Sequence, residues 1–236
     1  MCVTCALPKV NSSATLSPVV WNTARRVNLS WNTDLRSISD AEHDPIVELM
    51  RTAVHSWEQC CNVKFPYSEK KTPFISLRKA TADEEKTHRQ RGTIASSFYP
   101  GAAAREIILY RRFFEEIKVS QISTLRHEAG HILGFRHEHI LSKDSRLPPE
   151  STKDALLLTS TEPDGDSVMN YVKLWEDTYK QRMTDLSALD EMGAQRIYGI
   201  SSDIATMIDE EILKPPQQPA LIVKSVPRKP SINPLG

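Results

Sequence analysis

His127-Glu128-Ala129-Gly130-His131-Ile132-Leu133-Gly134-Phe135-Arg136-His137 is the stretch that decides how this chain is read. His127 and His131 stand four residues apart. On a helix that spacing puts both imidazoles on one face, close enough to reach one ion. Gly134 readily takes the left-handed conformation that ends a helix, and the turn it permits brings His137 back toward the same ion. Three histidines leave a coordination position open for water, which is the pattern of a catalytic zinc rather than a closed structural one. Glu128 adjoins His127 and faces the same opening. Zinc lowers the pKa of its water to about 7, and a carboxylate there can take the proton and later pass one to a leaving amine. From the frequencies of His, Glu and Gly in the chain, the five fixed positions would match by chance about once in 10⁵ such chains.

Around this stretch, the pattern predicts a helix from Ser120 to near Gly134, with Ile122, Leu125, Ala129, Ile132 and Leu133 on its apolar side. Upstream, Val27-Asn28-Leu29-Ser30-Trp31 alternates as a half-buried strand does. Ser39-Asp40 offers an N-cap to a helix carrying Ile46, Leu49, Met50, Ala53, Val54 and Trp57, with Pro45 in its first turn. Short strands are predicted at 63–65, 74–77, 93–98 and 106–110, with Tyr99-Pro100-Gly101 as a turn. The charged run 80–91 reads as a solvated loop and 138–166 as mostly irregular. A last helix runs from Ser187 to about Tyr198, with Leu189, Met192, Ile197 and Tyr198 available for packing. This order is α+β, with a helix packed on a small sheet.

The 236 residues include 30 basic and 30 acidic side chains, so the net charge is zero and nothing points to nucleic acid or an anionic membrane surface. No stretch approaches a transmembrane span. Met1 to Lys9 lacks a basic start followed by an apolar run and does not read as a secretion signal. The four cysteines fall in two pairs, Cys2/Cys5 and Cys60/Cys61, closer together than a disulfide framework usually sets them; a bridge between the pairs stays open. Residues 1–20 read as an extended lead-in. The tail 201–236 holds six of the 15 prolines between Pro215 and Pro234 and reads as disordered or extended.

The segment 127–138 resembles the metzincin metallopeptidases, in particular the astacin-like group, whose pattern continues G-F-x-H-E as Gly134-Phe135-Arg136-His137-Glu138 does here. Ser167-Val168-Met169-Asn170-Tyr171 resembles that group's Met-turn. The resemblance implies a catalytic domain over 21–200, with an N-terminal subdomain to about 135 and a mostly irregular C-terminal subdomain closed by the helix at 187–198. It implies zinc held by His127, His131 and His137, Glu128 as general base, and Met169 as a hydrophobic floor. Tyr171 would be a fifth ligand that also donates to the developing oxyanion. Met169 is equally compatible with ordinary core packing, and Tyr171 with a plain surface or core aromatic. Ala95-Ser96-Ser97-Phe98-Tyr99-Pro100-Gly101 resembles the antiparallel edge strand of the N-terminal subdomain, as in matrixins. A protein or peptide substrate would bind there as an added strand.

The implied activity is a zinc endopeptidase; the alternative is a silent zinc-binding interaction protein that keeps the fold. Intact Glu128 favours the first. Related families are mostly secreted. Glu138 resembles a residue that anchors a mature N-terminus, or is a surface carboxylate. His139 reads as a surface or supporting polar group, Asp164-Gly165-Asp166 as turn chemistry, and His43, His55 and His88 show no metal spacing. Cys5-Ala6-Leu7-Pro8-Lys9-Val10 loosely resembles a cysteine-switch segment, in which the Cys5 thiolate would block the zinc; the alternative is an unstructured terminus.

Overall fold

Four strands form the sheet that carries the site in a computed structural model, which describes residues 15–16, 20–21, 26–70, 72–88, 92–138, 156–157, 164–170 and 185–202. The two-residue strand β1 (Thr15–Leu16) and strand β2 (Val27–Asn28) come first, followed by β3 (Trp31–Thr33), helix α1 (Asp40–Cys60), β4 (Val63–Lys64) and β5 (Ile75–Lys79). Helix α2 (Ala82–His88), β6 (Ala95–Ser96), β7 (Glu106–Leu109), α3 (Arg111–Glu115) and α4 (Lys118–Ile132) come next. β8 (Leu156–Leu157) and α5 (Ala188–Tyr198) complete the described elements. The main sheet has the order β3-β5-β7-β6; its first three strands are parallel and β6 runs antiparallel to β7 at the edge. β2 pairs with β4 in parallel, and β1 pairs with β8 antiparallel.

Register explains which face is buried. Trp31 lies beside Ile75, Thr33 beside Leu77, and Leu77 beside Ile107. Side chains alternate along a strand, so these residues share one face, and all are buried. The apolar stripe of α1 (Ile46, Val47, Leu49, Met50, Ala53, Val54, Trp57) joins them in one core with Leu125, Ala129 and Ile132 of α4. Each of the Val, Leu, Ile and Met side chains contributes about 1.5–3 kcal/mol by leaving water. Trp57 ties the two helices together: its indole N–H donates to the Arg126 carbonyl at 3.0 Å, and its ring stacks on Phe135 at 5.4 Å.

Several expectations need correction. The run 80–91 is not all loop, because 82–88 forms α2. Its start is stabilised reciprocally: the Glu84 N–H donates to the Thr81 hydroxyl at 3.3 Å, and the Thr81 N–H to the Glu84 carboxylate at 2.8 Å. Pro45 is the sixth residue of α1, beyond the first turn. The strand expected at 27–31 divides into β2 and β3. Met192 is partly exposed and lies outside the buried core. Within the extended lead-in and the mostly irregular segment, 15–16 and 156–157 pair as the short strands β1 and β8.

Candidate metal centre

His127 and His131 project from one face of α4, and the end of that helix places His137. Gly134 adopts φ 98°, which a side chain would oppose. The Phe135 N–H returns to the Gly130 carbonyl at 2.9 Å and the Gly134 N–H to the His131 carbonyl at 2.9 Å. This paired closure ends the helix on its glycine. The next carbonyls, which have no acceptor role inside the helix, are also satisfied: the Trp21 indole donates to Ile132 at 2.7 Å, and the Tyr198 hydroxyl donates to Leu133.

The three imidazoles converge, with one ring nitrogen from each lying within 4.8 Å of the others. His127 Nδ1 lies 2.7 Å from the Val168 carbonyl oxygen and His131 Nδ1 lies 2.8 Å from that of Phe135. A carbonyl only accepts, so each Nδ1 carries the proton and each Nε2 presents its lone pair inward. His131 Nε2 and His137 Nε2 are 3.2 Å apart. Two nitrogens each about 2.0–2.1 Å from one ion, at a tetrahedral angle, would stand about 3.3–3.4 Å apart. The donor set therefore fits a divalent ion such as zinc, and among the described residues this trio could hold a metal.

Glu128 is 5% exposed, and its Oε2 has no hydrogen-bond partner. Burial pushes its carboxyl up to about 7. A buried carboxyl with one unsatisfied oxygen, adjoining three convergent imidazoles, is costly as mere structure and is the kind of group found where chemistry is done. Ser97, just beyond β6, donates to the Glu128 carbonyl at 2.9 Å and so ties the edge of the sheet to α4.

Met169 is buried at 2% exposure beneath α4 and touches Gly130. The Glu138 N–H donates to the Met169 carbonyl at 3.2 Å, and the Glu138 carboxylate accepts from the Asp164 N–H at 3.1 Å. Glu138 is thus buried, not a surface carboxylate. Asp164 forms the expected turn, accepting from the Asp166 N–H at 2.9 Å. Cys60 and Cys61 are buried free thiols. His43 bonds Asp44 and Tyr67, away from the trio. Tyr171, Cys5 and His139 lie outside the described residues.

Asp190 escaped the sequence reading as a site residue. It is buried in the first turn of α5 and accepts from the Ser167 hydroxyl at 2.6 Å and the Val168 N–H at 2.8 Å. Ser187-x-x-Asp190 is visible as a helix-capping pattern, but its tie to residues 167–168 depends on the tertiary fold.

No protein-family model and no curated protein sequence matches the chain. Solved structures do match in fold. One is myroilysin, a metallopeptidase, with a TM-score of 0.53 and 14% identity, covering 78% of this chain and 98% of that one. The fold is metallopeptidase-like. At that identity the likeness concerns the architecture: a small mixed sheet with helices. Within this metallopeptidase-like fold the histidine trio stands on its own geometry. No helix among the described residues is long and apolar enough to cross a membrane.

Proposed function

We propose that the chain is a zinc-dependent endopeptidase, with His127, His131 and His137 as metal ligands and Glu128 as general base. The observation that carries this reading is the inward convergence of three imidazoles next to a buried carboxylate, one of whose oxygens has no hydrogen-bond partner. The chemistry that zinc supplies when bound is Lewis acidity toward water and toward a carbonyl.

The chain's own residues do the rest. Val168 and Phe135 hold the rings of His127 and His131 in the tautomer that offers Nε2. Glu128 takes a proton from water at its carboxylate and hands one to the leaving amine nitrogen, and its raised pKa suits both transfers near neutral pH. β6 offers its outer edge, unpaired among the described residues, to an extended substrate strand. Met169 packs under the site as an apolar support. Tyr171 is proposed as the oxyanion donor and fifth ligand, on the sequence resemblance alone, and Cys5 as a latency thiol on the same ground. The fold match to a metallopeptidase supports the assignment of substrate class.

The test is hydrolysis of an unfolded protein such as casein by zinc-loaded protein. Cleavage that stops with a chelator and in Glu128→Gln is expected. Equal behaviour of wild type and Glu128→Gln would leave the silent, zinc-binding alternative.

A further inference from the structure

His127 Nδ1 donates to the Val168 carbonyl at 2.7 Å, and the peptide bearing that carbonyl is itself held. Its N–H, on Met169, donates to the Ser167 hydroxyl oxygen at 3.0 Å. The same hydroxyl lies 2.6 Å from Asp190 Oδ1. An amide N–H only donates, so Ser167 must accept from Met169 and donate its single proton to the carboxylate. Asp190 Oδ2 meanwhile accepts from the Val168 N–H at 2.8 Å and the Ser187 N–H at 3.0 Å. The Ser167 hydroxyl and two backbone N–H groups favour the charged form of this carboxyl, while its burial raises its pKa above the ordinary carboxylate range.

The hydrogen bonds run in one continuous line, from imidazole to peptide to hydroxyl to carboxyl. Ser167, Val168, Met169 and Asp190 are each at most 5% exposed. In so dry a setting, successive hydrogen bonds polarise one another instead of being screened by water. A ligating histidine generally gives its other N–H to a carboxylate or carbonyl, which fixes the ring and raises ligand basicity. Here the carboxylate stands two links further back.

We infer that Asp190, acting through Ser167 and the 168–169 peptide, is a positioning residue that orients His127 and strengthens it as a metal ligand. The inference rests on the proposed three-histidine centre. It also gives α5 a role in the site, though no side chain of α5 belongs to the trio.

Cobalt, an optically visible substitute for zinc, tests it in the metal-free full chain by titration alongside thermal melting. Ser167→Ala leaves both backbone donors on Asp190 but removes the hydroxyl link, and it is expected to weaken Co2+ binding about tenfold. Ser167→Thr keeps a hydroxyl and is expected to restore binding. Thr81→Ala removes the hydroxyl that caps α2, which makes no contact with Asp190; it should lower the melting temperature with Co2+ affinity within about twofold of wild type. Binding by Ser167→Ala within twofold of wild type would overturn the inference. So would losses in Ser167→Ala and Thr81→Ala that merely track their melting temperatures. If Ser167→Ala fails to fold, the Nδ1 proton resonance of His127 in Asp190→Asn decides: an upfield shift supports the relay and an unchanged one overturns it. Wild type that takes up no Co2+ would fail earlier, at the histidine centre itself.

Discussion

Gly130 of α4 and Met169 touch so closely that a Cβ built on Gly130 would lie 2.3 Å from the Met169 sulfur. Trp57 Cζ2, at 3.2 Å, closes the other side. The glycine inside the metal-binding helix is thus set by packing and not by backbone conformation. Alanine would gain about 1 kcal/mol in helix propensity, but overpacking costs about 1–3 kcal/mol. Gly130→Ala is therefore predicted to destabilise by about 1 kcal/mol net. Adding Met169→Ala should relieve the clash, so the double variant should lose less than the two single variants together. Urea unfolding of the four proteins checks this, and strict additivity would contradict it.

Why some of this was legible in the sequence follows from the range of each interaction. The histidine spacing, the glycine at the end of α4 and the cap Ser187 act within a few residues, so they can be read locally. The short helix α2 was equally local, but the charge of 80–91 obscured the Thr81…Glu84 cap. The Gly130–Met169 contact and the Asp190 relay join segments 39 and 23 residues apart, and no period in the sequence encodes them. The antiparallel edge at β6 was read by resemblance alone, since alternation cannot assign strand direction.

Tyr198 of α5 supplies the hydrogen bond that satisfies the buried Leu133 carbonyl at the turn before His137. Tyr198→Phe leaves that carbonyl without its donor, a loss of about 1–3 kcal/mol. The turn leads to His137, a ligand in the proposed centre, so zinc affinity should fall along with stability. Calorimetric melting and a competing chelator measure the two. An unchanged melting temperature would show that the carbonyl finds another partner.

Acid should weaken the fold through two carboxylates. Lys79 holds Glu42 down to about 2, with help from Ser39, and Arg78 holds Glu84 down to about 2. Both are depressed below the ordinary carboxylate range, so their stabilisation is full above about pH 4.5 and is lost as pH falls toward 2. Both pairs are partly exposed, which limits each to about 1 kcal/mol or less. Glu42→Gln should lower the melting temperature at pH 7 and shrink its fall between pH 4.5 and 2. A variant that loses stability in parallel with wild type across that window would refute the assignment.

The proposed function makes Glu128 the general base and not one of the three ligands, so Glu128→Gln should separate binding from chemistry. Zinc affinity is expected to stay within a few-fold of wild type, while peptide hydrolysis falls by about 10²–10⁴. Equilibrium dialysis beside an activity assay reads both. A variant that loses zinc altogether would instead make Glu128 a ligand.

The account turns on which side chains hold the ion, and X-ray absorption at the zinc edge reports that directly. Zinc-loaded protein is predicted to show three imidazole nitrogens at about 2.0–2.1 Å, with that shell lost in His131→Ala. A sulfur shell at about 2.3 Å, or a spectrum that His131→Ala leaves unchanged, would place the metal on the cysteines or elsewhere and contradict the proposed centre.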